Sequence, residues 1–256
     1  MKLKTTKYHF DLLNDSARLA VFLEAIKEYE GNKTLAYDLG CGSGILSYFL
    51  SSHFDEVIAI EVNKPASDCA IENLADFTNV KVVNSDVLEY DFEKKADLFV
   101  CEMMDTALID EEQVPVLNHA KQFLKDTGTI IPKGIINSCE LVDMEREYIH
   151  WDENVNYDVM SDSIIYCEID FLEDINPEFE ATLQIKANRD GNINGLKITT
   201  FTKLNDNIIC GPTPMLNPPL LIPLENQSVK RNDFINVKLK YIMGNGIESI
   251  ETDILR

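Results

Sequence analysis

The chain has 256 residues, 45% of them hydrophobic, enough for one large domain or two small ones around a buried core. Forty-four acids against 23 bases give a net charge of −21, which argues against RNA or DNA as partner, because gripping a phosphate backbone needs basic surface; a cationic partner or simple solubility remains. No apolar run approaches the ~20 residues of a membrane span, the N-terminus lacks a signal-peptide core and the six cysteines are widely spaced without a Cys-x-x-Cys pair, so the expectation is a cytoplasmic protein with no membrane partner, zinc site or disulfide framework.

Residues 7–30 read as one or two amphipathic helices, stopped by Gly31-Asn32. Arg18 lies in this segment, just before the first strand, where a guanidinium can pair bidentately with a ligand carboxylate or serve as an ordinary surface charge. The next stretch, 34–62, organises the chain. A β-prone run through Asp38 breaks into Gly40-Cys41-Gly42-Ser43-Gly44, enters a segment with helical spacing, and is followed by a second apolar run ending on Glu61. Glycines there let the backbone approach a ligand, and the free N–H groups of the following helix face the same space. Asp38 and Glu61 stand at the carboxyl ends of their strands, below the crevice of a parallel sheet.

Asp38 would repel a pyrophosphate but suits a cationic sulfonium, and Glu61 can accept both ribose hydroxyls of an adenosine; a nucleotide-free or NAD-binding sheet is the alternative. The order Asp-x-Gly-x-Gly-x-Gly, then an acid closing the next strand, resembles the class I S-adenosylmethionine-dependent methyltransferases. The resemblance implies a Rossmann-like, doubly wound parallel α/β sheet and S-adenosyl-L-methionine as cofactor, contacted by Asp38, Gly40, Cys41, Gly42, Gly44 and Glu61.

A helix over 64–76, with Pro65 in its first turn, leads to a strand over 79–83 and to Asn84-Ser85-Asp86-Val87. There Asp86, with Val87 beside it, is placed either to accept from the adenine amine or to cap a turn. A fourth strand, 96–101, ends on Glu102. A helix with Pro115 near its start runs through Lys125, Asp126-Thr127-Gly128 turns into a fifth strand, 129–131, and Pro132-Lys133-Gly134 marks a boundary between domains 1–133 and 134–256. Beyond it, alternating runs at 135–144, 163–172, 179–187, 196–204, 220–224, 234–242 and 247–254 predict an antiparallel β-sheet or β-barrel domain. Asn217-Pro218-Pro219 reads as a turn in that domain.

Glu102 and Glu111 stand nine positions apart across a probable turn. Brought together they could clamp a guanidinium with forked hydrogen bonds, act as a base if one pKa is raised by the other, or simply favour a helix N-terminus. Methyl transfer from a sulfonium needs orientation and a dry pocket, and no metal.

Residues 9–136 resemble the catalytic core of the protein arginine methyltransferases. His9-Phe10-Asp11-Leu12-Leu13-Asn14-Asp15-Ser16-Ala17-Arg18 is similar to that family's segment ahead of the cofactor strand, which implies cofactor contacts for His9 and Arg18. Glu102 and Glu111 have the spacing of the family's two-glutamate loop, Ile131-Pro132 resembles its step into a β-barrel, and residues 149–155 resemble a segment beyond it. The sequence departs from the family at Met103 and Asp105, where a tryptophan and a glycine are usual, and at residues 215–219, where a barrel Thr-His-Trp motif is usual; no histidine follows His150. The resemblance implies methyl transfer to a nitrogen of a cationic acceptor, an arginine side chain or a small molecule, with Glu102 and Glu111 catalytic and a homodimer as one option for assembly. A cofactor-binding module without catalysis is the alternative from another class.

Overall fold

The computed structural model describes residues 3–152 and 156–255. Two short helices, α1 (Lys7–Asn14) and α2 (Ser16–Glu28), open it. They divide at Asp15, whose carboxylate caps α2 by accepting the Arg18 N–H at 3.0 Å.

The parallel half follows as β1 (Leu35–Leu39), α3 (Ile45–Ser51), β2 (Glu56–Glu61), α4 (Lys64–Asn73), β3 (Val80–Asn84), β4 (Ala96–Cys101), α5 (Gln113–Ala120) and β5 (Leu124–Ile131). Its strands lie in the order β3-β2-β1-β4-β5, all parallel. Every residue of β1 and β4 is buried, as expected of strands covered on both faces. The chain runs outward from β1 on one side and returns to build β4 and β5 on the other, so the crevice opens above the carboxyl ends of β1, β2 and β4.

The helix expected to run through Lys125 stops at Ala120, and β5 begins already at Leu124. Asp126-Thr127-Gly128, read as a turn, lies inside β5. Pairing with β4 jumps there from Ala96↔Leu124 to Leu98↔Thr129, so the turn-prone residues are absorbed as an irregularity within one strand.

The second half is antiparallel: β6 (Gly134–Met144), β7 (His150–Trp151), β8 (Tyr157–Val159), β9 (Ile164–Asp170), β10 (Glu178–Lys186), β11 (Gly191–Lys203), β12 (Ile209–Cys210), β13 (Leu220–Val229), β14 (Phe234–Ile242) and β15 (Glu251–Leu255). One sheet runs β7-β13-β11-β6-β8, with β12 on β11 and β9 on β6; a second runs β10-β14-β15. Together they form a β-barrel-like unit. The strand expected over 247–254 is shorter, because Ile247–Ser249 coil into a 3₁₀ turn. Residues 153–155 of the segment singled out in the sequence lie outside the described residues. Apolar side chains of both halves, among them Val100, Ile131, Ile135, Leu196 and Val237, belong to one buried cluster.

The loop from β4 to α5 crosses between the halves. The Thr106 hydroxyl donates to the Pro218 carbonyl at 2.6 Å and the Ala107 N–H to the Thr200 hydroxyl at 2.8 Å. The N–H groups of Gly244 and Gly246 donate to the carbonyls of Leu108 and Ile109, each at 2.9 Å. These bonds hold Ala107 and Leu108 in left-handed backbone, both with φ of 60°, a conformation that costs non-glycine residues about 1–3 kcal/mol each. The Asn217-Pro218-Pro219 stretch, read as a turn, instead follows the turn at residues 214–215 and runs irregularly into β13; Asn217 is buried and donates to the Thr202 hydroxyl at 2.8 Å.

Thr200 accepts from Ala107 and donates to the Asn137 side-chain amide oxygen at 2.7 Å, all within the interior. Thr200→Val orphans a buried N–H while conserving shape, and we expect a loss of about 1–3 kcal/mol of stability in urea unfolding. An unchanged midpoint would mean that the loop does not depend on this contact.

Candidate active site

The crevice holds a cavity of about 610 Å³. Its floor is the glycine turn. Gly40 and Gly42 have φ of 74° and 54°, and a Cβ on Gly42 would lie 2.6 Å from the His9 ring, one on Gly40 2.6 Å from the Met103 sulfur. The turn therefore needs glycine both for its backbone and for the side chains packed over it. Glu61, almost fully buried, closes β2 and accepts the Gly42 N–H at 2.8 Å on one oxygen and the Asn63 N–H at 2.7 Å on the other. A carboxylate offers about four acceptor positions, so each oxygen keeps one for a diol.

His9, Arg18, Gly40, Cys41, Gly42, Glu61, Asp86, Val87, Glu102 and Glu111 all line this cavity, brought together from six segments of the chain. Asp38 and Gly44 do not. Asp38 is 1% exposed, lies behind the wall and accepts the Ser47 hydroxyl at 2.5 Å. Gly44 starts α3 with φ of 90°, packed against α4, where a Cβ would lie 2.7 Å from Leu74. Asp86 lines the cavity and also accepts the Leu88 N–H at 2.8 Å, so the turn-capping bond is formed by a residue that still borders the cavity.

Arg18 is buried. Its terminal nitrogens pair with the Glu102 carboxylate and donate to the Leu12 carbonyl at 3.1 Å, while its Nε has no hydrogen-bond partner. The sequence offered a guanidinium that pairs with a ligand carboxylate or an ordinary surface charge; its burial is at odds with the second, and the fold also couples it to the first loop glutamate. Burial pushes the Glu102 carboxyl above its ordinary value, against the pull of Arg18. Glu111 is pushed up by burial, then by the charges of Glu102, Asp110 and Glu112. Burial lowers the His9 pKa, and its Nδ1 sits 2.7 Å from the Thr6 hydroxyl.

Several residues of the wall carried no usable sequence signal. Met215 reaches the cavity from about 200 positions away because Asp15 anchors its segment, accepting the Thr213 hydroxyl and the Met215 N–H. Asn63 lies two positions after Glu61, whose carboxylate its N–H reaches, and could have been found from that proximity. Tyr8 packs edge-on against His9, ring centroids 5.3 Å apart. Gln113, fully buried, fastens α5 to the end of β4: its amide donates to the Cys101 carbonyl at 2.9 Å and accepts the Met103 N–H at 3.0 Å. Among the described residues no histidine other than His9 lines the cavity; His150, the last in the chain, is buried elsewhere, 2.7 Å from the Tyr148 carbonyl.

Residues 36–128 match a family model described as a methyltransferase domain. A chain of the Trypanosoma brucei PRMT1 enzyme-prozyme heterotetrameric complex with AdoHcy shares the fold, with a TM-score of 0.82 over 98% of each chain at 15% identity. Protein arginine N-methyltransferase 7 of Danio rerio is 31% identical over 134 residues, 46% of this chain and 20% of that one. The chain is a class I S-adenosylmethionine-dependent methyltransferase resembling the protein arginine methyltransferases, and S-adenosyl-L-methionine is its cofactor. Within that class it belongs to the same family as an uncharacterized protein of Methanothermobacter thermautotrophicus, 45% identical over 255 residues that cover 100% of both chains. The site fits the cofactor on its own terms. The glycine floor leaves room for a ligand, Glu61 keeps acceptor positions for a ribose, and the orphaned Arg18 Nε is a buried donor for a carboxylate.

Burial raises the Asp38 carboxyl to about 7; the Ser47 hydroxyl opposes the shift, and the charges of Glu61 and Glu102 add to it. An acid whose folded pKa exceeds its unfolded value of about 3.9 binds more protons folded than unfolded between the two, so its contribution to stability falls as pH rises from about 4 to 7. Urea unfolding of the wild type and Asp38→Asn across that range should show the wild type losing stability relative to the variant as pH rises. A constant difference would mean that Asp38 titrates normally.

Proposed function

We propose that the protein transfers the cofactor's methyl group to a nitrogen of a cationic acceptor, an arginine side chain being the leading case, held between Glu102 and Glu111. The supporting observation is that these two carboxylates, nine positions apart in sequence, line the same cavity as the glycine turn and Glu61. The cofactor supplies a methyl group already activated on a sulfonium. Glu61 binds the ribose through its free acceptor positions, Arg18 and His9 cover the amino-acid end, and Asp86 and Val87 flank the base. Asp38, behind the wall, acts through the turn it supports.

Glu102 and Glu111 accept forked hydrogen bonds from the acceptor, keep it planar and draw positive charge away from the nitrogen that attacks. With the cofactor bound, its sulfonium would supply the methyl carbon for the new N–C bond and depart as a neutral thioether, and Glu111, the carboxyl that is raised and has no ion pair among the described residues, would take the proton displaced from the acceptor nitrogen. Asp110 and Glu112 also border the cavity, which favours entry of a cation.

A small-molecule acceptor is the second reading. It is favoured by the segment where the arginine methyltransferases carry their barrel histidine, which here presents Met215 to the cavity.

Glu61→Ala should abolish measurable binding of S-adenosylhomocysteine in calorimetry, and retained affinity would refute the ribose assignment. Glu102→Gln and Glu111→Gln should slow transfer of labelled methyl into a cell extract by about 100-fold or more while sparing that affinity. Full activity in both would remove the clamp. Separating the labelled extract decides the acceptor: label in protein supports the first reading, label in small molecules the second, and label in nucleic acid contradicts both.

A further inference from the structure

The segment that carries Glu111 into the cavity is held by a side chain the reaction scheme leaves unused. Asp105 is 9% exposed and lies behind the loop, outside the cavity lining. One of its carboxylate oxygens accepts the Asp110 N–H at 3.0 Å and the other the Glu111 N–H at 3.2 Å, while its own carbonyl accepts the Leu108 N–H at 3.1 Å. The loop is thus tied at three levels. Gln113 fixes its departure from β4, the antiparallel half fixes residues 106–109, and the Asp105 carboxylate fixes the return to Glu111.

A buried carboxylate ringed by Asp110 and Glu111 is an expensive way to close a turn. Burial pushes its pKa up to about 7; the Asp110 and Glu111 N–H groups oppose the shift and the charges of the same two residues add to it. Serine or asparagine could satisfy one N–H at lower cost. What the carboxylate adds is two acceptors with fixed spacing on successive residues, which fixes the peptide plane that carries the Glu111 side chain.

We propose that Asp105 is a positioning residue, its carboxylate holding the main chain of Glu111 so that the Glu111 carboxyl is presented beside Glu102 at the acceptor end of the cavity. The proposal rests on the clamp reading of Glu102 and Glu111. It also gives a role to a residue that appears in the sequence only as a departure from the arginine methyltransferase pattern.

The test is a double-mutant cycle with an independent structural readout. Asp105→Asn, which keeps shape and one acceptor, and Asp105→Ala are each combined with Glu111→Gln. Methyl transfer from labelled cofactor into extract is measured at saturating cofactor, calorimetry with S-adenosylhomocysteine serves as control, and hydrogen exchange is followed at residues 110 and 111. If Asp105 acts through Glu111, Asp105→Asn slows transfer about tenfold and Asp105→Ala more, cofactor affinity stays within about twofold, and neither slows the Glu111→Gln enzyme further. Exchange at residues 110 and 111 should accelerate at least about tenfold in Asp105→Ala, with little change elsewhere.

Additive losses in the cycle, lost cofactor affinity or unchanged exchange at both residues would each overturn the proposal. If Glu111→Gln is impaired and the Asp105 variants are not, this proposal fails while the clamp stands. If Glu111→Gln is fully active, this proposal fails, and the clamp fails with it only where Glu102→Gln is fully active as well. Should no extract component accept label, accelerated exchange still supports the hold of Asp105 on residue 111 and unchanged exchange refutes it.

Discussion

The middle of the loop between β4 and α5 is held by hydrogen bonds to the other half of the molecule. Its first glutamate leaves a strand of the parallel sheet and its second enters the following helix, yet residues 106–109 between them are bonded to Thr200, Pro218, Gly244 and Gly246 of the antiparallel half. These contacts help hold two consecutive non-glycine residues, Ala107 and Leu108, in left-handed backbone. The antiparallel half therefore shapes the proposed acceptor site without supplying much of its surface: it sets where the loop can go, and among the described residues Met215 is its contribution to the cavity wall.

The cofactor end is ordered by a second economy of contacts. Glu61 joins the glycine turn to the start of α4 through two N–H groups and still has acceptor positions left. Arg18 links the N-terminal helices to Glu102, so the groups proposed to hold cofactor and acceptor share an ion pair. Asp15 completes the enclosure, capping α2 and fastening it to residues 213–215. The two ends of the cavity are consequently joined through a few buried charges, each compensated by main-chain N–H groups, hydroxyls or an opposite charge.

Much of this was legible in the sequence, for identifiable reasons. Strands buried on both faces read as continuous apolar runs, and glycines at a strand-to-helix turn have few other uses, so the parallel half, its crevice and Glu61 followed directly. The spacing of Glu102 and Glu111 located the loop. Other features were hidden because they depend on distant segments. Nothing near Met215 announces that Asp15 will draw it to the cavity, and nothing near Arg18 announces Glu102. Local signals misled where tertiary pairing outweighed them: Asp126-Thr127-Gly128 has turn chemistry but continues a strand because β4 lies alongside. Asp105 looked like a mere substitution since its role lies in N–H groups five and six positions ahead.

The central claim is that a sulfonium-bearing cofactor lies above the carboxyl ends of β1, β2 and β4, its ribose held by Glu61, with Glu102 and Glu111 beyond its sulfur. A crystal structure of the complex with S-adenosylhomocysteine tests this most directly. The account predicts both ribose hydroxyls on the Glu61 carboxylate and the sulfur facing the two loop glutamates. A ligand bound outside this cavity, or with its sulfur turned away from Glu102 and Glu111, would contradict it.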